Sequence, residues 1–202
     1  MLAKRLYGFA DRTDVLPLTQ FGFRKGVGTC DALLYFTHNI QSGLDKGYES
    51  RVVALYFSSA FDSVNHAGLL FKLQSLGVGG LFISILEQFL LNRQQRIVVD
   101  GFYSSWTPVC SGVPQGSVLG PLFILFTADM WNGILNNLIA YANDSTLYAV
   151  VESPEHRVAV TDSLNNISKI EDWCNFFGND SKPMKVFFYG NKSIQYLPSS
   201  SP

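Results

Sequence analysis

The sequence predicts an α+β fold in which helices pack on one face of a mainly antiparallel sheet. A β-branched and aromatic run at 51–57, "RVVALYF", is typical of a buried strand. Apolar runs flank Asp100-Gly101 and Asn143-Asp144, which indicates two hairpins. Leucines within 66–77 recur at helical spacing. Because neither an internal repeat nor a linker stands out in the 202 residues, we expect one domain.

The first thirty residues mix charge, proline and glycine with little periodicity. We interpret "QFGFRKGVGTC" (20–30) as a loop with exposed cations that leads into a helix from Asp31. After the strand, "HAGLLFKLQSLG" predicts an amphipathic helix that ends at a Gly77 C-cap. "GLFISILEQFLLN" (80–92) repeats the pattern and predicts a second helix.

The second half of the chain predicts a loop, an apolar helix, a hairpin and a long helix. "SGVPQGSVLGP" is rich in glycine and proline, and it precedes an apolar helical segment at 122–135 with Pro121 near its first turn. The hairpin at Asn143-Asp144 follows, and then a helix from about Pro154 to Phe177. The tail at 195–202, "QYLPSSSP", is predicted to be frayed.

Composition and charge set limits on the class of protein. The chain is 47% hydrophobic and 15% charged, which excludes a mainly disordered chain. Its formal net charge of −1 gives no general attraction to phosphate, so contact with nucleic acid would need a local basic surface.

The spacing of the cysteines and the length of the apolar runs indicate the cellular compartment of the protein. Cys30, Cys110 and Cys174 lie far apart without metal-ligand spacing, so we expect isolated buried thiols, no disulfide partner and no zinc. Apolar runs such as "LFILF" are too short to span a bilayer, and the N-terminus lacks an apolar signal core. We expect no membrane association and an intracellular protein, with nucleus and cytoplasm both open.

Three segments together resemble the palm motifs of a known enzyme family. They are "LYFSSAFDSVNH" (55–66), "SGVPQGSVLGPLF" (111–123) and "YAND" (141–144). In this order they resemble reverse transcriptases of non-long-terminal-repeat retrotransposons, most closely the jockey-like group. "QFGFRKGVGTCDAL" resembles the fingers segment of that family, and "SKPMKVFFYG" (181–190) its later lysine-bearing palm segment.

The resemblance implies a polymerase right-hand palm, with an antiparallel sheet backed by helices, partial fingers and no thumb. Residues 1–192 would be a reverse transcriptase domain fragment, with a fingers remnant at about 1–50 and the palm at 51–192. Residues 193–202 would be a disordered tail. The implied reaction is Mg²⁺-dependent addition of a deoxynucleotide to a DNA primer on an RNA template.

The sequence departs from the family at two of its three metal-ligand positions. In the family, one aspartate ends the strand that here reads "VVALYF", and two aspartates occupy the turn that here reads "ND". This chain has Tyr56 and Asn143 at two of those positions and retains only Asp144 as catalytic carboxylate and metal ligand. A net loss of about 3 kcal/mol per ligand weakens metal binding about 10²-fold. We therefore expect weak or absent Mg²⁺ binding and a pseudoenzyme.

The resemblance also assigns the nucleotide-binding positions, and this chain matches the family at more of them than at the metal-ligand positions. Phe61 matches the bulky residue that screens the sugar 2′ position. Gln115 and Gly116 match the loop that meets the incoming nucleotide, and Arg24 and Lys25 match the fingers cations that hold its triphosphate. A lysine near the leaving pyrophosphate would be Lys182 or Lys185.

Other polar and aromatic residues are interpreted mainly as having structural roles. Asp62 is either a nucleotide-site residue or a cap for the helix at His66. The histidines show no ligand spacing and suit solvent or packing roles, and four aromatic residues are predicted to lie in the core: Phe126, Trp131, Phe176 and Phe177.

Two functional alternatives stand beside an inactive polymerase copy. The chain could be a non-catalytic nucleic-acid or protein-binding remnant, or a translated genomic relic without a selected role. Taken without the family, residues 138–150 would be an ordinary surface hairpin.

Overall fold

The computed structural model describes residues 2–117, 119–165, 167–178 and 185–190. The helices are α1 (Leu2–Thr13), α2 (Thr29–Asp45), α3 (His66–Ser75), α4 (Gly80–Leu91), α5 (Pro121–Thr127), α6 (Pro154–Asn165), α7 (Ser168–Phe177) and a 3-10 turn (Ala128–Trp131). The strands are β1 (Glu49–Ser58), β2 (Gln94–Gln95), β3 (Val98–Val99), β4 (Phe102–Tyr103), β5 (Thr107–Pro108), β6 (Asn137–Tyr141), β7 (Asp144–Val151) and β8 (Lys185–Gly190).

The central sheet is antiparallel, with strand order β6-β7-β1-β8. Its register pairs Leu55 of β1 with Ser145 of β7 on one side and with Phe188 of β8 on the other. Along β1, Val53, Leu55 and Phe57 are buried while Ala54 and Tyr56 are exposed. The predicted strand therefore exists, but it is buried on one face only, since successive side chains point to opposite faces.

Helices pack on both faces of this sheet. On the core face, the Phe57 ring meets Trp131 edge-on, with ring centroids 6.4 Å apart. On the opposite face, Phe36 of α2 meets Tyr148 of β7 edge-on at 5.5 Å. The sequence predicted helices on one face, but β7 is apolar on both faces and α2 covers the second. At the other end of that second face, Tyr56 remains exposed.

The α3 and hairpin predictions are confirmed in outline. Helix α3 begins after Asn65, whose side chain accepts a hydrogen bond from the Gly68 amide at 2.9 Å. Asn65 is therefore the cap, and the interpretation of Asp62 as the cap is wrong. The helix ends at Ser75, and Gly77 follows with φ of +92°. A hairpin forms at Asp100-Gly101, where β3 pairs with β4.

Three helical segments differ from the prediction. Residues 2–13 form a helix instead of an irregular segment, because Leu6 and Ala10 make a short buried stripe among charged residues. Helix α5 ends at Thr127, where the Thr127 hydroxyl donates to the Phe123 carbonyl and the chain tightens into the 3-10 turn. The predicted helix at 154–177 is divided into α6 and α7.

Burial corrects two further expectations. Cys30 and Cys110 are exposed, and only Cys174 is a buried thiol, whose pKa burial raises to about 12. Phe176 is 81% exposed and so is not a core residue, whereas Phe126 is fully buried. The predicted tail at 193–202 lies outside the described residues. Within the described ranges, every helix is too short or too polar to cross a membrane.

Candidate active site

The β6–β7 hairpin brings the retained acid to the edge of the sheet. Its closing pair is Tyr141 with Asp144, so the two-residue turn consists of Ala142 and Asn143. The sequence placed the turn one residue later, at Asn143-Asp144. Ala142 adopts a positive φ of 58°, a conformation uncommon for a residue other than glycine. Asp144 is therefore the first residue of β7 and stands on a strand.

Strand β1 places Tyr56 beside this acid. The last pair in the β1–β7 register is Leu55 with Ser145, and the next antiparallel positions are Tyr56 and Asp144. Both side chains line an open cleft of about 360 Å³, on the same sheet face that α2 contacts at Tyr148. The complete lining is Ala54, Leu55, Tyr56, Asp144, Ser145 and Thr146.

The electrostatics of this cleft depend on one carboxylate. Asp144 is exposed, and the Asn143 side-chain amide donates a long hydrogen bond of 3.4 Å to its Oδ1. Tyr56 is 50% exposed and contributes a neutral phenol. Within the described ranges, no group of three histidine, cysteine or acidic residues could hold a metal ion. The donor set at the cleft does not fit a pair of divalent cations, which requires several anionic oxygens.

The glycine-rich loop that follows β5 is anchored at its base. The Gly112 carbonyl accepts hydrogen bonds from His66 Nε2 at 2.8 Å and from Arg93 Nη2 at 2.6 Å. Burial, opposed by this hydrogen bond, lowers the pKa of His66. Farther along, Gln115 and Gly116 are exposed, and Gly116 has a positive φ of 73°. The predicted nucleotide loop therefore presents both residues to solvent from a fixed base.

Phe61 faces the core. It is 5% exposed and stacks on Phe123 of α5, with ring centroids 4.4 Å apart and planes 25° apart. Its edge meets Phe23 at 6.1 Å. The ring is thus held between loop 14–28 and α5, and screening of a sugar by Phe61 stays a prediction.

The predicted triphosphate cations lie on loop 14–28. Arg24 is half-buried and donates from Nη1 to the Pro17 carbonyl at 3.1 Å, while Lys25 is exposed. Lys185 begins β8 opposite Ser58, and Lys182 lies outside the described residues. The choice between the two lysines stays open.

Gln20 is a site residue that the sequence did not reveal. Its side chain is buried and bonds to the backbone of Ala142, in the turn that precedes Asp144. A lone glutamine in a predicted loop carries no periodic or motif signal for such a long-range contact.

Known proteins are similar to this chain in sequence and in fold. The chain matches the reverse transcriptase (RNA-dependent DNA polymerase) family over residues 1–199. An RNA-directed DNA polymerase from the mobile element jockey of Drosophila melanogaster is 38% identical over 135 residues, which cover 64% of this chain and 14% of that protein. The jockey polymerase of Drosophila funebris is 33% identical over 180 residues, which cover 86% of this chain and 20% of that protein.

Among solved structures, apo telomerase from Candida Tropicalis matches 98% of this chain and 41% of its own chain, with a TM-score of 0.54 and 11% identity. This likeness shows a right-hand polymerase fold. The chain spans about a fifth or less of the curated jockey relatives. Its sequence match and its fold agree: the chain belongs to the reverse transcriptase (RNA-dependent DNA polymerase) family, and its relatives are enzymes of non-long-terminal-repeat retrotransposons.

Proposed function

We propose that this chain keeps the palm of a retrotransposon reverse transcriptase but does not catalyse nucleotide addition. The observation that carries the proposal is the cleft in which Tyr56 faces the same space as Asp144, with Asn143 in the adjoining turn. In this proposal, about 1–50 are the fingers remnant and 51–192 the palm. The nucleotide contacts would come from Arg24, Lys25, Phe61, Gln115 and Gly116.

The physical argument concerns charge. The family implies nucleic-acid substrates and metal-dependent catalysis, which for phosphoryl transfer needs two divalent ions about 3.5–4 Å apart. A unit charge pair at about 4 Å is worth roughly 4 kcal/mol at an effective dielectric of 20. The side chains of tyrosine and asparagine carry no negative charge and so provide no such attraction to a cation. Asp144 alone cannot compensate the repulsion between two divalent cations. Mg²⁺ would therefore be bound weakly or not at all.

Primer extension tests the proposal. With oligo(dT) on poly(rA) and either Mg²⁺ or Mn²⁺, we expect no extension by the unmodified chain. The double variant Tyr56→Asp, Asn143→Asp should extend the primer, and adding Asp144→Asn should abolish that activity. Extension by the unmodified chain would overturn the proposal.

A second candidate function is nucleic-acid binding without catalysis, favoured by the segment 93–109. This segment carries β2 to β5 and exposes three aromatic rings, Phe102, Tyr103 and Trp106. The Arg96 guanidinium lies 4.2 Å from the Tyr103 ring centroid and 4.6 Å from that of Trp106. Exposed aromatic rings beside arginine are the groups on which unpaired bases stack.

Filter binding of single-stranded RNA across a salt series tests this candidate. We expect affinity that falls steeply as salt rises, because contacts with phosphate release counterions. Trp106→Ala should weaken binding about 5- to 150-fold, since stacking of one base is worth roughly 1–3 kcal/mol. Phe176→Ala, which removes another exposed ring, is the control. Equal affinities for both variants would exclude the segment as the binding surface.

A further inference from the structure

We infer that Gln20 is a positioning residue for the turn that precedes Asp144, and that through it loop 14–28 and the acid-bearing hairpin form one unit. The inference deepens the proposed function, because it rests on Asp144 being the retained ligand position. Gln20 lies two residues before Gly22 and far from the hairpin in sequence.

The Gln20 side chain is 3% exposed and all of its polar atoms are engaged. Its Oε1 accepts hydrogen bonds from the Ala142 amide at 3.0 Å and from the Gly22 amide at 2.8 Å. Its Nε2 donates to the Ala142 carbonyl at 3.3 Å. One amide group therefore binds both backbone polar groups of Ala142, as a neighbouring strand would.

The backbone around Gln20 supports the same contact. The Phe21 amide donates to the Ala140 carbonyl at 2.7 Å, and the Ala140 amide donates to the Thr19 carbonyl at 2.9 Å. Gln20 and Ala140 thus form a parallel bridge at the free edge of β6. Gly22 follows so closely that a Cβ there would lie 2.2 Å from the Ala142 nitrogen.

Ala142, the residue that the Gln20 side chain binds, has a strained backbone conformation. Ala142 has a φ of 58°, and such conformations persist where surrounding contacts impose them. A two-residue turn transmits the position of Ala142 to Asp144 through Asn143, since Tyr141 and Asp144 close the hairpin. Gln20 accordingly fixes the direction from which the Asp144 carboxylate enters the cleft, without touching the cleft itself.

Amide hydrogen exchange on the folded chain tests the contact. In Gln20→Met, which keeps the side-chain length, we expect the Ala142 amide to exchange at least about tenfold faster, because its acceptor is gone. The amides of Leu55 and Leu147 should change little. Gln41→Met, on the exposed face of α2, is the matched control.

Unchanged exchange at Ala142 in Gln20→Met, or equal acceleration at Leu147, would overturn the inference. If Gln20→Met fails to fold, the contact is tested in the unmodified chain by NMR scalar coupling across the hydrogen bond. We expect a coupling between the Ala142 amide nitrogen and Gln20 Cδ. Its absence, while couplings across the β1–β7 ladder are seen, would overturn the inference.

Metal affinity tests the positioning role separately. In the Tyr56→Asp, Asn143→Asp background, we expect Gln20→Met to weaken Mn²⁺ binding at least about tenfold. Leu86→Ala, a buried change in α4, should lower the melting temperature without that loss. Equal Mn²⁺ affinity with and without Gln20 would overturn the positioning role. If the double variant binds no Mn²⁺, the proposed function fails instead, and hydrogen exchange alone decides on Gln20.

Discussion

Tyr56, near the end of β1, and Asp144, at the start of β7, occupy neighbouring antiparallel positions and line one cleft. A phenol and a carboxylate side by side make a site of low charge, suited to hydrogen bonding and poorly suited to divalent cations. The strands that support them are well packed, since Leu55 of β1 and Leu147 of β7 are both buried. The cleft thus combines one carboxylate and one phenol on a sheet with the right-hand polymerase fold.

Phe61→Ala is expected to destabilise the fold by about 3–5 kcal/mol, the usual loss for a phenylalanine removed from a core. The reason is its stacking on Phe123 and its 5% exposure. Denaturant unfolding measures the loss, and Phe176→Ala should change stability little because that ring is 81% exposed. A loss below about 1 kcal/mol for Phe61→Ala would show that the ring does not belong to the core.

Gly22→Ala is expected to destabilise the chain by about 1–3 kcal/mol or more, as overpacking of a close contact does. The new Cβ would collide with the Ala142 nitrogen, a backbone atom that cannot move without opening the hairpin. Gly79→Ala is the matched control, because a Cβ at Gly79 meets nothing within 4 Å. Thermal unfolding of both variants distinguishes the outcomes, and equal melting temperatures would contradict the contact.

Lys72→Met is expected to destabilise the fold by about 1–3 kcal/mol. The Lys72 ammonium is bonded to Asp129, donates to the Phe126 carbonyl at 2.7 Å, and lies 3.7 Å from the centroid of Phe177. Desolvation lowers the pKa of Lys72, and the bond to Asp129 opposes that shift. Methionine would fill the volume but leave the carbonyl without a donor.

The control for Lys72 is Lys46→Met, because Lys46 is exposed at the end of α2. Denaturant unfolding should show a loss in the first variant and almost none in the second. Similar stability for the two would mean that the aromatic rings around Lys72 stabilise no cation.

Stability should fall as pH decreases through about 6.5, and His66 should account for part of that fall. Burial lowers the pKa of His66, so the unfolded chain takes up a proton at a pH where the folded chain does not. Proton uptake by the unfolded state favours unfolding. In His66→Gln, which keeps an N–H donor for Gly112, melting temperatures measured from pH 8 to pH 5.5 should show a weaker dependence. An unchanged dependence would assign the effect to other groups.

The sequence predicted most of the sheet and its connections, because local patterns determine them. The β-branched and aromatic run of β1, the cap-like Gly77 and the turn at Asp100-Gly101 can each be recognised from a few residues. The burial of β1 on one face only was not predicted. Helix α1 was missed because Leu6 and Ala10 give too short an apolar stripe.

The parts of the site that depend on long-range contacts were not predictable. The turn lies at Ala142-Asn143 because Gln20, 122 residues away, holds Ala142 in a strained conformation. The anchoring of Gly112 by His66 and Arg93 is likewise invisible in sequence. The proposal that Tyr56, Asn143 and Asp144 occupy the family's metal-ligand positions rests, by contrast, on the motifs alone. The structure shows that Tyr56 and Asp144 share a cleft.

Calorimetric titration of Mg²⁺ into the purified chain, with and without a deoxynucleotide, tests the central claim most directly. We expect no saturable binding by the unmodified chain, and binding about 10²-fold tighter for each carboxylate restored by Tyr56→Asp and Asn143→Asp. Asp144→Asn in the unmodified chain serves as the blank. Saturable binding of a pair of Mg²⁺ ions by the unmodified chain, abolished by Asp144→Asn, would contradict the account.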